Sequence, residues 1–126
     1  RDLMRVPPVF ASWMDRLPAD LRPDWSWFYI GPVGSGTPYH YDTHRSSAWN
    51  AVFEGAKSWE AIPPDAPDAR VAWEQAAGDL VCVPSGWVHR VVNHAPTVAF
   101  SENFINASNV DVVLAGPDGA RVLERR

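Results

Sequence analysis

A chain of 126 residues is long enough for one domain with a real core and short for two. It is 46% hydrophobic with seven tryptophans, so composition excludes disorder. Eleven basic against fifteen acidic residues leave a formal charge of −4, which argues against a nucleic-acid partner needing a concentrated basic face. No apolar run reaches the roughly 18 residues of a membrane span, and nothing reads as a signal peptide. The single Cys82 cannot close an internal disulfide, so an intracellular, cytoplasmic (or, in a eukaryote, nuclear) setting with no membrane partner is expected. The sequence opens at Arg1 rather than Met, which is the expectation for a piece of a longer chain.

Twelve prolines and eight glycines cut the chain into short pieces, which favours strands over long helices. The exception is "PPVFASWMDRLPADLRP" (7–23), where Phe10, Trp13, Met14 and Leu17 fall at helical spacing and predict a short N-terminal helix. Eight strand-like runs follow, at 25–30, 39–42, 48–54, 57–62, 70–75, 79–84, 88–93 and 97–104. That density of short strands predicts an all-β barrel or sandwich. The tail from Val110 holds one weak strand, "DVVLAG". The expected organisation is an N-terminal helical segment over 1–24, a barrel over 25–109 and a C-terminal tail over 110–126.

Ionisable residues interrupt these apolar runs. In "YHYD" strand alternation aims His40 and Asp42 at one face, an N,O pair able to chelate a divalent metal. A third donor is expected from "PSGWVHRVVN", where His89 shares a face with Val91 and Asn93. Two histidines and a carboxylate with open positions form the facial triad of non-haem Fe(II) oxygenases. A lone His-x-Asp carries little weight, and His44 and His94, in polar turn-like contexts, are read as surface residues.

Lys57 strengthens the pattern. Its same-face neighbours are Trp59 and Ala61, so its ammonium faces inward, where an unpaired charge costs several kcal/mol or is lost by a fall in pKa. A bound dicarboxylate, held by the metal at one end and Lys57 at the other, meets that need; the bland alternative is a lysine snorkelling to the rim. Asn50, inward with Ala48 and Val52, and Ser101, inward with Ala99 and Asn103, are placed to hydrogen-bond the same ligand. Trp49 and Trp87 are expected to be buried on the face opposite the ligands, which requires the turn "PSGW" to reset the register of the following strand.

The stretch "WFYIGPVGSGTPYHYDTHRSSAWNAVFEGAKSW", with "GDLVCVPSGWVHRVVN" and "TVAFSENF", resembles the JmjC (jumonji-type) hydroxylases over roughly residues 5–104. The likeness is strongest to the arginine demethylase and lysyl hydroxylase (phosphatidylserine receptor-like) branch. It implies a double-stranded β-helix of the cupin or jelly-roll kind, using Fe(II), 2-oxoglutarate and O2. His40, Asp42 and His89 match the iron ligands. Lys57 matches the lysine that pairs with the distal carboxylate of 2-oxoglutarate, and Asn50 and Thr37 match residues of the co-substrate pocket. Ser101 stands where that branch usually has threonine, and Asn103 follows it on the same face. Between "AIPP" and "AAGDL" the chain is short, so a substrate-facing insertion of that branch is absent.

The expectation is therefore a 2-oxoglutarate-dependent oxygenase acting on a protein or peptide side chain, lysine first, with arginine demethylation as an alternative. Acidic Asp65, Asp68, Glu74 and Asp79 between the ligand motifs offer a cationic segment some attraction. Competing readings are a cupin-type metal isomerase or hydrolase, a small-molecule hydroxylase, and a non-catalytic JmjC-like binding module. The first leaves Lys57 and Asn50 without a task.

Overall fold

The computed structural model describes residues 5–117. Its strands are β1 (Ser26–Gly31), β2 (Gly36–His40), β3 (Ser47–Glu54), β4 (Ala56–Ile62), β5 (Val71–Ala76), β6 (Leu80–Val83), β7 (Val88–Asn93) and β8 (Thr97–Phe104), followed by α1 (Val110–Ala115). They pair antiparallel in two four-stranded sheets, β1-β8-β3-β6 and β2-β7-β4-β5. The chain passes repeatedly from sheet to sheet, giving the all-β jelly-roll of a double-stranded β-helix. A cavity of about 300 Å³ lies between the sheets.

Alternation decides which side chains meet that cavity. Along β4 burial alternates strictly, with Lys57, Trp59 and Ala61 inward. On β7 the inward positions are His89, Val91 and Asn93. The apolar wall is a cluster of Trp59, Val83 and Val91, on which Trp73, Val81 and Trp87 pack. Gln75 on β5, 1% exposed, ties the sheets together. It accepts from Trp59 Nε1 at 2.8 Å and donates to the carbonyls of Asn50 and Asp79 at 3.0 and 3.1 Å. A buried amide satisfied at both ends stabilises rather than penalises the core.

A second cluster lies on the far face of the β1-β8-β3-β6 sheet, where Trp49, Phe100 and Phe104 are covered by Val6 and Phe10. Phe10 stacks on Trp49 with ring centroids 6.0 Å apart. A third joins both ends of the chain to the barrel through Met14, Ile105 and Val113.

Four expectations change. The helix over 7–23 is two 3-10 turns, Pro8–Phe10 and Trp13–Arg16, separated by extended backbone at Ala11 and Ser12. Ser12 is the reason: its hydroxyl accepts from Met14 N and Ile105 N, both at 3.2 Å, fixing the segment to β8's exit instead of continuing a helix. The weak strand at 111–116 is the helix α1, folded because Val113 must reach the Met14–Ile105 cluster. The last strand residues "YD" leave the sheet early, since β2 ends at His40. Trp49 is buried opposite Asn50 as expected, but Trp87 is half-buried and packs on the inward-facing Trp59–Val83–Val91 cluster. The turn before β7 exists, with Gly86 at φ +77° and Trp87 N bonded to Pro84 O at 3.3 Å, yet it does not reset the register. The part of the expected tail beyond Pro117, and residues 1–4, lie outside the described residues.

Gly36 lets β2 lie close to β7. A Cβ there would sit 1.9 Å from Val91 O and 2.9 Å from Val92 Cα, both unyielding backbone atoms. Gly36→Ala is therefore expected to lower stability by about 3 kcal/mol or more, measured by urea unfolding, because β2 must separate from β7.

Candidate metal and anion site

The β2–β7 ladder builds half of the site. His40 and His89 are direct cross-strand partners, so their rings meet on the cavity side with centroids 4.3 Å apart. Each imidazole is held through Nδ1 by the carbonyl two residues earlier, His40 by Pro38 O at 2.7 Å and His89 by Trp87 O at 3.2 Å. A carbonyl only accepts, so Nδ1 carries the proton and Nε2 presents its lone pair to the cavity. Asp42 lies just past the end of β2, and its Oδ1 is 3.5 Å from each Nε2. The three donors all fall within 4.8 Å of one another. The pairing of His40 with Asp42 thus comes from a strand end followed by a turn, not from alternation along one strand.

That turn is strained. Asp42 precedes the 3-10 turn Thr43–Arg45, in which His44 (φ +53°) and Arg45 (φ +55°) are both left-handed. For non-glycine residues this costs of order 1–3 kcal/mol each and needs outside support. Support comes from Trp25 against the His44 ring (5.6 Å) and from Arg45 over the Tyr41 ring (5.5 Å). Ser46 Oγ closes the turn on Thr43 O at 2.8 Å, and Asn103 Nδ2 donates to Ser46 Oγ at 2.9 Å. Asn103 also hydrogen-bonds Asp42.

The donors are charged reluctantly. Burial pushes the Asp42 carboxyl up, against the opposing pull of His89, His40 and Asn103. Burial likewise pulls His89 down, with Asp42 pulling the other way. A dehydrated carboxylate facing two imidazole nitrogens is an electrostatic arrangement that a divalent cation would relieve.

Elsewhere in the same cavity lies a buried ammonium. Lys57 is 6% exposed, and burial pulls its ammonium down. Its one described hydrogen bond runs from Nζ to Asn93 Oδ1 at 2.9 Å, a neutral acceptor. The Tyr29 ring lies 5.9 Å from Nζ, and burial followed by the Asp42 charge raises its phenol, keeping it a donor. Asn50 lines the same cavity, and its side-chain oxygen is buried with no hydrogen-bond partner. Thr37, half-buried, lines it as well. Ser101 Oγ instead donates to Trp49 O at 2.9 Å, so its proton is committed to the backbone. Asn103 supports Ser46 and Asp42 rather than reaching toward Lys57.

All eight residues singled out in the sequence line this one cavity. Sequence reading placed Asn93 on the ligand face without giving it a task, and passed over Tyr29. Its inward parity in "SWFYIG", opposite Ala99 of β8, was the available signal. His94 does lie outside, where Nε2 meets Glu74 at 2.6 Å and also contacts Ser58, whereas His44 is half-buried against Trp25. None of Asp65, Asp68, Glu74 or Asp79 lines the cavity. Glu74 is engaged by His94 and Ser58, and Asp79 accepts a hydrogen bond from Ala76 N.

Comparison with known proteins agrees with this geometry. The family described as "JmjC domain, hydroxylase" matches residues 27–75 and 69–104, which together span both halves of the barrel. The chain is 34% identical over 143 residues to the arginine-specific demethylase JMJ22 of Arabidopsis thaliana, covering 86% of this chain and 28% of that protein. It is 32% identical over 129 residues to the bifunctional arginine demethylase and lysyl-hydroxylase psr-1 of Caenorhabditis briggsae (73% of this chain, 32% of that one). It is 29% identical over 148 residues to the 2-oxoglutarate and iron-dependent oxygenase JMJD4 of Danio rerio (89% and 34%). The chain therefore spans about a third of the length of these relatives. With a jelly-roll barrel, a His-Asp-His cluster and a family match across 27–104, this chain belongs to the JmjC-domain hydroxylases.

Proposed function

We propose that the chain forms the catalytic barrel of an Fe(II)- and 2-oxoglutarate-dependent dioxygenase that hydroxylates a protein or peptide side chain. The carrying observation is that one cavity holds both a three-donor cluster and a buried ammonium with no carboxylate partner among the described residues. His40, Asp42 and His89 would hold the metal, and Lys57 the distal carboxylate of 2-oxoglutarate. Bound iron supplies activation of O2 coupled to conversion of 2-oxoglutarate to succinate and CO2, one oxygen atom entering the substrate as a hydroxyl.

The chain's residues do the rest. The carbonyls of Pro38 and Trp87 fix both imidazoles in the tautomer that leaves Nε2 free. Asp42 offsets part of the cation's charge. Lys57, Tyr29, Asn50 and Thr37 offer donors to the co-substrate, while Trp59, Val83 and Val91 keep water from that end. The relatives' names, arginine demethylase and lysyl-hydroxylase, support a basic protein side chain as substrate, lysine first and methylated arginine second. The same reading divides the chain into a segment over 1–24, the barrel over 25–109 and a tail over 110–126, in an intracellular setting. No helix among the described residues is long and apolar enough to cross a membrane.

The direct test supplies Fe(II), 2-oxoglutarate and a peptide library, and looks for succinate release matched by one added oxygen on a lysine- or arginine-bearing peptide. Peptide-independent succinate release, with a small metabolite oxidised instead, would overturn the protein-substrate reading. His40→Ala, Asp42→Ala and His89→Ala should each remove turnover with the β circular-dichroism spectrum kept, and weaken metal binding at least about tenfold. Wild-type metal affinity in His40→Ala would overturn the ligand assignment.

Lys57→Ala should raise the 2-oxoglutarate requirement steeply, since breaking a desolvated charge pair costs about 3–5 kcal/mol. Lys57→Arg should fail too, its planar fork being too large for a site shaped around a point charge. Affinity within a few-fold of wild type in Lys57→Ala would show that the pocket lies elsewhere.

Asp42 makes the metal-free protein pH-sensitive. A carboxyl raised by burial costs the fold its full penalty above the raised pKa, and that penalty fades as pH falls from there to the ordinary carboxylate range, where the unfolded chain is protonated too. Asp42→Asn should therefore raise the Tm of chelator-treated protein near pH 8, and the gain should fade toward about pH 4. An equal gain at both ends of that range would contradict the assignment of the penalty to charge.

A further inference from the structure

Asn93, the last residue of β7 and 6% exposed, sits directly across the ladder from Lys57. Its Oδ1 accepts from Lys57 Nζ at 2.9 Å, and its Nδ2 donates to Ser35 Oγ at 3.0 Å. Ser35 Oγ donates in turn to Pro32 O at 2.6 Å. The main chain doubles the link, with Asn93 N donating to Ser35 O and Gly34 N donating to Asn93 O, both at 2.8 Å. The turn is closed tightly around the amide, since a Cβ on Gly31 would fall 2.5 Å from Ser35 Oγ and 3.1 Å from Asn93 Nδ2.

The polarity of this relay is fixed at both ends. An ammonium can only donate, and the Pro32 carbonyl can only accept. Every bond between them must therefore run in one direction, from Lys57 to Asn93 to Ser35 to Pro32, and the amide has a single satisfactory orientation. A hydrogen bond from a charged donor is among the stronger ones, and here it orders a long, flexible side chain before any ligand arrives.

We infer that Asn93 is a positioning residue for anion capture: it aims the Lys57 ammonium and ties it to the Pro32–Ser35 turn at the cavity's edge, so that turn and ammonium act as one unit. This rests on the proposed role of Lys57 as the carboxylate-binding group. Asn93 does not touch the co-substrate in this scheme. It lowers the ordering cost of binding by holding one of the three ammonium protons and leaving two for the ligand.

The test measures binding of 2-oxoglutarate to Mn(II)-loaded protein by calorimetry, and KM against kcat in the Fe(II) enzyme. A control keto acid, 2-oxopentanoate, carries a methyl in place of the distal carboxylate. Asn93→Ala should weaken 2-oxoglutarate about tenfold, with the loss in KM rather than kcat. Ser35→Ala, which removes only the far end of the relay, should weaken it about threefold and serves if Asn93→Ala does not fold. Asn93→Asp should be worse than Asn93→Ala, because a carboxylate there competes with the ligand for the ammonium. None of these three variants should change 2-oxopentanoate binding, and in a Lys57→Ala background Asn93→Ala should cost nothing more.

If Lys57→Ala loses 2-oxoglutarate while Asn93→Ala and Ser35→Ala bind it normally, the positioning role is overturned and the anion site stands. Equal losses for 2-oxopentanoate, or an undiminished loss in the Lys57→Ala background, would make Asn93 a general support of the barrel and overturn it as well. If Lys57→Ala itself binds 2-oxoglutarate normally, the underlying site assignment fails.

Discussion

Desolvation of charge is the constraint on which this barrel is arranged. Asp42 and Lys57 are pushed toward their neutral forms by the same burial, one upward and one downward, and no described hydrogen bond or ion pair joins them to each other. A core that meant only to be stable would replace both with apolar side chains at little cost or at a gain. Their retention, with imidazoles beside one and a neutral amide beside the other, leaves two complementary deficits in a single cavity. A cation at one end and an anion at the other relieve both, and a ligand touching each deficit is held at two points.

The surrounding architecture keeps those deficits from collapsing. Lys57, His40 and His89 all come from the β2-β7-β4-β5 sheet, while Asn50, Ser101 and Asn103 come from the facing one. Gln75 locks the two sheets at a fixed separation, and the aromatic cluster around Trp49 secures the outer face under Phe10. Local strain is confined to His44 and Arg45, immediately after a proposed metal ligand, where tertiary contacts over-determine the backbone. Two left-handed residues redirect the chain within one turn, just after Asp42 faces back toward His40.

What could be read in the sequence followed from period-two alternation. It placed Lys57, Asn50, Ser101 and His89 inward because each lies within a regular strand whose faces are set by burial. It put Asp42 beside His40 for the wrong reason, since Asp42 has left the strand, and for Trp87 the supposed reset at the turn failed where plain alternation would have served. It could not show that His40 faces His89, because register between distant strands depends on a bulge between Thr37 and His40. Tertiary packing overrode local preference at both ends of the chain: β-branched "DVVLAG" became helical to deliver Val113, and Ser12 broke a helical pattern to bond Ile105. Asn93 was visible as a face but not as a function, since its role lies in the direction of its hydrogen bonds.

The order of strands in the ligand-bearing sheet has a consequence for synthesis. β7 lies between β2 and β4 in space, yet it follows both by at least 25 residues in sequence. A nascent chain emerging from a ribosome therefore exposes His40, Asp42 and Lys57 well before the strand that brings His89 and Asn93 to them. Until then the two earlier strands have no common partner, and neither the three-donor cluster nor the relay to Lys57 exists. Long-range pairing of this kind is slow, because loop closure precedes its reward. The proposed metal and dicarboxylate would meet a finished pocket only after β7 has zipped between its neighbours, so the site would report completed folding rather than template it.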